Sequence, residues 1–128
     1  MKKLIISLLV ILLIIILAIA GVYLFSDVLN ADKIIVNEID LTDIEDGSYE
    51  GTYETPLVKA TVRVNIISSN IVKIDLLRHE NGLGKKAESI LFDVARNNSV
   101  LVDTISGATY SSKVILKAIE NAISNIKN

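Results

Sequence analysis

Four hydroxyls gather around two very small residues late in this 128-residue chain. Ser106, Thr109, Ser111 and Ser112 surround Gly107-Ala108, and Asp103 stands three positions before Ser106. One chemistry that suits them is attachment of a phosphate-bearing group to a hydroxyl. The acceptor must be exposed to a delivering enzyme, and its neighbours must be small enough to admit a bulky donor. Gly107 and Ala108 meet that need directly before Thr109, and glycine also reaches backbone angles that other residues avoid. A helix-period pattern begins close after Thr109, near Ser111 or Ser112. Free N–H groups at a helix start favour an anion there. A plainer role fits the same residues: the hydroxyls could cap the helix or close a turn, and Asp103 could form the turn. Residue types alone leave both open.

Other reactive side chains are few. His79 is the only histidine. It is expected in the turn after the third strand, where it could approach a cofactor ring or a proton path; a polar loop residue is the commoner case. One histidine and no cysteine argue against a metal site and give no basis for a catalytic triad. The absence of cysteine also excludes disulfides, a cysteine-linked lipid and an iron–sulfur cluster of the chain's own. Gly82-Leu83-Gly84 could bring backbone close to a ligand or simply turn the chain into a helix. The following Lys85-Lys86 lacks the spacing and the Ser/Thr of a phosphate-binding P-loop, and both lysines read as solvated. Tyr49 and Tyr53 could flank a planar ligand, but packing on a sheet is the more frequent use.

The elements that position these residues follow from periodicity. Asp46-Gly47 is a turn signal, and Ser48 to Glu54 alternates with Tyr49, Gly51 and Tyr53 on one face. Leu57 to Ile67 is the clearest strand, with Val58, Ala60, Val62, Val64 and Ile66 opposed to Lys59, Thr61, Arg63 and Asn65. Ser68-Ser69-Asn70 turns the chain, and Ile71 to Leu77 alternates again, with Val72, Ile74 and Leu76 inward. Between Leu83 and Asn97 the period becomes helical through Ala87, Ile90, Leu91, Val94 and Ala95, with Asn97-Asn98 as a stop. Ser99 to Val102 reads as a fourth short strand. Val114, Ala118, Ile119, Ala122, Ile123 and Ile126 then form a second helical stripe, with Lys113, Lys117, Glu120 and Asn121 outward. The predicted order β-β-β-α-β-α makes an α+β domain: a small, mostly antiparallel sheet covered on one face by two helices.

The N-terminal part is different. Leu4 to Phe25 carries no charge and no proline. At about 1.5 Å per residue it spans roughly 33 Å, enough for a bilayer core. Lys2 and Lys3 precede it and no basic residue follows until Lys33, which predicts a cytoplasmic N-terminus and an extracytoplasmic remainder. Ala18-Ile19-Ala20 has the small-x-small form of a signal-peptide cleavage site, but the apolar run continues past it to Phe25, which favours an uncleaved signal anchor. The expected organisation is an anchor over residues 1–25, an acidic linker over 26–45 that partly packs on the domain, and the domain over 46–128. Without Lys2 and Lys3 the balance is 11 basic against 15 acidic residues. That net acidity points away from a nucleic-acid partner.

Several stretches together resemble one family. Asp46-Gly47-Ser48-Tyr49-Glu50-Gly51 is similar to a D-G-x-Y-x-G opening, and His79-Glu80-Asn81-Gly82-Leu83-Gly84 to the loop before the family's first helix. Asp103-Thr104-Ile105-Ser106-Gly107-Ala108-Thr109 matches the D-x-x-S-G-A-T signature of the FMN-binding domain family. That family includes the G subunit of the Rnf electron-transport complex and the C subunit of the sodium-pumping NADH:quinone reductase. The resemblance runs from Asp46 to about Ile126. The chain lacks the long insertions of larger members, and their proline before the glycine, and is similar to short, stand-alone ones.

The resemblance implies FMN held covalently through a phosphoester on Thr109, with Asp103, Ser106, Gly107 and Ala108 recognised by a Mg-dependent flavin transferase that takes FAD. His79 and Gly82 join the implied cofactor site. A membrane electron-transfer complex is the implied electron donor, and an electron carrier is the implied role rather than a complete enzyme. The alternative is a module that binds FMN reversibly, or only a partner, without redox turnover.

Overall fold

The computed structural model describes residues 1–28, 30–80 and 84–127. The chain divides into two compact units, Met1–Asn30 and Ala31–Asn128. The first is the helix α1, Lys2–Val28, apolar on every side. By length and composition it could cross a membrane. An all-round apolar helix has no face to offer water, so it must be enclosed by protein or lipid.

The second unit is built on a three-stranded antiparallel sheet in the order β1 (Gly47–Glu54), β2 (Lys59–Ile67), β3 (Asn70–Glu80). Ala60, Val62, Val64 and Ile66 of β2 are fully buried beneath the helices. The opposite face is wet and carries cross-strand polar pairs, including Arg63 with Glu50 and Thr52 with Thr61. Two helices complete the α+β arrangement. The 3-10 turn Lys85–Ser89 runs into α2, Ile90–Asn97, which packs against β3. Asn98, at φ 52°, ends α2 in the left-handed conformation that asparagine tolerates. The longer α3, Thr109–Ser124, lies across β1 and β2.

Gly51 shows how closely α3 sits. A Cβ at that position would overlap the Ala118 carbonyl oxygen and stand 2.7 Å from Ala122 Cα. The small residues Ala118 and Ala122 let the helix backbone rest directly on the strand. Tyr49 and Tyr53 flank this contact and pack against the core, which is the common role expected of them.

Three details differ from the sequence expectation. Residues 99–102 form no strand, although Val100 is buried. Ser99 Oγ accepts the Leu101 N–H, a local bond that turns the backbone away from ladder pairing. Against β3 the register shifts between Asn65 and Ile66 of β2, so Ile71 is buried and Val72 is exposed. An extra residue in one strand reverses which side chains face the core. Glu120 is buried rather than outward, because the stretch after Ala31 covers that side of α3. Residues 34–44, expected in a linker that partly packs on the domain, do pack there, adding Ile34, Ile39, Leu41 and Ile44 to the core cluster.

Candidate functional site

The signature forms a tight turn feeding straight into α3. The Ala108 N–H donates to the Ile105 carbonyl at 2.9 Å, closing a four-residue turn. Gly107 holds the third position at φ +75°, where a type II turn demands a positive φ. Ile105 packs against the core and Ala108 is buried, so the turn is pinned on both sides of its exposed tip. Ser112, fully buried one helical turn on, locks it. Its hydroxyl donates to the Ala108 carbonyl at 2.7 Å and accepts the Ile105 N–H at 3.0 Å.

This arrangement separates the hydroxyls by role. Ser111 and Ser112 were expected beside the helix start, but α3 begins at Thr109 and both serines are buried within its first turn. Ser106 and Thr109 are exposed. Thr109 is the first residue of α3, whose first turn has no side-chain cap and no acidic residue. Its leading N–H groups and dipole therefore present partial positive charge beside an accessible hydroxyl. Asp103 is exposed six residues upstream and lines a cleft of about 420 Å³ with Asp93, Arg96, Asn97, Leu101 and Val102.

His79 lies within β3, not in a polar turn. The second register shift, between Thr61 and Val62, lets His79 pair with the buried Ala60. Its side chain is only 2% exposed, and its Nδ1 is 3.0 Å from Glu88 Oε1 on the Lys85–Ser89 turn. Gly82, expected in the cofactor site, lies outside the described residues with Asn81 and Leu83.

Sequence reasoning passed over Lys86. Its Nζ stands 2.6 Å, and its Cε 3.3 Å, from where a Cβ on Gly107 would be. An ammonium group therefore rests on the signature's glycine, although the side chain is exposed as expected. The only local signal was a lysine just after Gly84; the contact itself joins residues far apart in sequence. A phosphate-bearing cofactor suits this place: an exposed hydroxyl, an uncapped helix start, a nearby cation and no carboxylate in the helix's first turn.

Comparison with known proteins bears on the same residues. No curated protein matches the chain. The family model described as the FMN-binding domain matches residues 58–124, from the start of β2 to the end of α3 and through the whole signature turn. That match covers slightly more than half of the sequence and gives the second unit a flavin-binding role: the chain belongs to the FMN-binding domain family.

Proposed function

We propose that this chain is a membrane-anchored flavoprotein carrying FMN covalently on Thr109, outside the cytoplasm. We further propose that it passes electrons between a membrane redox complex and an acceptor. The observation that carries the attachment is the place of Thr109: an exposed hydroxyl at the uncapped start of α3, directly after Gly107 and a buried Ala108. The exposed tip would admit a flavin transferase, with Asp103 and Ser106 as further accessible groups for it to read. In the transfer, Thr109 Oγ gains a bond to the flavin-side phosphorus of FAD, AMP leaves, and the hydroxyl proton passes to solvent or a base.

Once attached, FMN supplies the electron chemistry, and the protein contributes placement and local electrostatics. The phosphodiester keeps one negative charge, which the N–H groups of the first turn of α3 would face. Ser112 and Ile105 hold the turn from beneath. Covalent attachment suits an exported domain, because a tether replaces an unlimited dilution of free cofactor by a fixed local concentration. The lysine pair at the start of α1, with no basic residue after it until Lys33, supports the outward orientation.

Thr109→Ala tests the reading. The full chain, produced alongside a flavin transferase and denatured before mass analysis, is expected to gain the mass of FMN less one water on a peptide containing Thr109. The variant is expected to gain nothing and to keep its melting midpoint without flavin, because the lost side chain is exposed. An unmodified wild-type mass, with the transferase active on a known acceptor, rejects the covalent reading and leaves reversible FMN binding.

A further inference from the structure

We infer that Lys86 is a positioning residue for the cofactor phosphate: its ammonium group is the counter-charge held ready for the phosphodiester on Thr109. The inference rests on the covalent reading above and adds a residue to it.

The first support is how the domain uses its cations. Lys59, Arg63, Lys73, Arg78, Lys113, Lys117 and Lys127 each pair with a carboxylate. Lys86 has no such partner among the described residues, yet its ammonium lies 2.6 Å from where a Cβ on Gly107 would be, two residues before Thr109. A solvated lysine gains little from resting on a glycine. A lysine awaiting an anion at that spot gains a charge-assisted contact when the anion arrives.

The second support is that the placement of Lys86 is built. Ala87, next in the chain, is fully buried, and its N–H donates to the Gly84 carbonyl at 3.0 Å. The Ser89 hydroxyl donates to the Lys86 carbonyl at 3.0 Å. Glu88, on the same 3-10 turn, engages His79 of β3. The backbone that carries Lys86 is thus tied to the sheet, and its long side chain reaches the signature turn. His79 then acts at a distance, by fixing the turn that carries the cation.

Neither neighbouring cation serves as well. Lys85 has no described contact with the signature turn. Arg96 lines a cleft with Asp93 and Asp103 and has no described contact with Gly107. Lys86 alone combines proximity to Gly107 with the absence of a described carboxylate partner.

The test uses the full chain in detergent micelles, with and without co-produced flavin transferase. Lys86→Met keeps most of the side-chain length without its charge; Lys86→Arg keeps the charge. Intact mass reports loading, and circular dichroism reports the melting midpoint of each form. Without flavin, Lys86→Met is expected to melt with the wild type. Loading is expected to raise the wild-type midpoint, and that rise should fall by about half in Lys86→Met and recover in Lys86→Arg. The wild-type rise should also shrink in about 0.5 M salt, while that of Lys86→Met changes little. Slower loading of Lys86→Met with an unchanged flavin-free midpoint supports the same role. Equal destabilisation of both forms, or an undiminished rise on loading, overturns it. A wild-type chain that takes no flavin rejects the covalent reading first, and that failure is visible in the wild-type mass alone.

Discussion

Gly107 meets two demands with one missing atom. Its φ of +75° lies where an L side chain is strained, and the space a Cβ would fill is occupied by Lys86 Nζ at 2.6 Å. Either demand could be relieved singly, by a backbone shift or by moving a flexible side chain, but both point to glycine. Gly107→Ala is expected to cost about 1–2 kcal/mol of stability through the left-handed backbone. It should also displace Lys86 from the turn. A denaturant midpoint measures the first effect, and the mass-detected loading rate measures the second. A variant as stable and as quickly loaded as the wild type would show that neither the turn nor the cation matters. At this scale the sequence reading went as far as local chemistry allows. An exposed hydroxyl preceded by small residues is legible from residue types, and Thr109 stands so. Lys86 was not legible, because its contact with Gly107 depends on tertiary placement. His79 was misplaced for a different reason: the strand was expected to end at Leu77, but it runs on to Glu80, and the register shift turns His79 to the core.

At the scale of elements, the seating of α3 on β1 positions the site, since Thr109 is the first residue of that helix. Gly51 is the contact point, and what it meets is backbone, which cannot rotate away as a side chain can. Gly51→Ala must lift α3 from the sheet or bend the strand. Overpacking of a close-packed interface costs about 1–3 kcal/mol and more when the obstacle is rigid. The expected outcome is a large fall in the melting midpoint, with impaired loading at Thr109 as its consequence. An unchanged midpoint would mean the helix stands further from the strand than these distances place it. Periodicity made this layer legible: the inward set of β2 and the apolar stripe of α3 are where alternation and the helical repeat put them, except Ile126, which is exposed beyond the end of α3. Bulges were not legible, because an inserted residue leaves the local pattern of apolar types intact while reversing its direction. The strand expected at residues 99–102 failed similarly. Three apolar residues in a row satisfy a strand pattern, yet no strand forms: Val100 and Val102 pack on the core while Ser99 diverts the backbone.

At the scale of the whole molecule, the linker packs on the domain as expected, but its pattern did not mark which residues do so. Scattered apolar residues among acids read as a linker, since no single period links Ile34, Ile39, Leu41 and Ile44. Their burial follows from what they lie against, the side of α3 that bears Glu120. That buried carboxylate accepts the Asn37 N–H at 3.0 Å and its side-chain amide at 3.2 Å, and pairs with Lys117 at 2.9 Å. Burial pushes its pKa up, but the hydrogen bonds from Lys117 and Asn37 outweigh burial and hold it below the ordinary 4.5. The unfolded carboxyl keeps its ordinary value, so the folded state binds fewer protons there. The stabilisation is therefore complete above about pH 4.5 and is lost as pH falls through the lowered folded value. Asp40, held down by Lys127 and Thr42, acts in the same direction, but it is exposed and screened. Glu120→Gln keeps the shape and removes the charge. It is expected to cost about 1–3 kcal/mol at neutral pH, the range for breaking a buried charged hydrogen-bond set. The gap between wild type and variant should narrow as urea midpoints are followed from pH 7 towards pH 3. Parallel curves across that range would mean that Glu120 does not hold the N-terminal segment to α3 through its charge. Narrowing curves would make residues 34–44 a structural part of the flavin domain, joined to it by the helix that begins at Thr109.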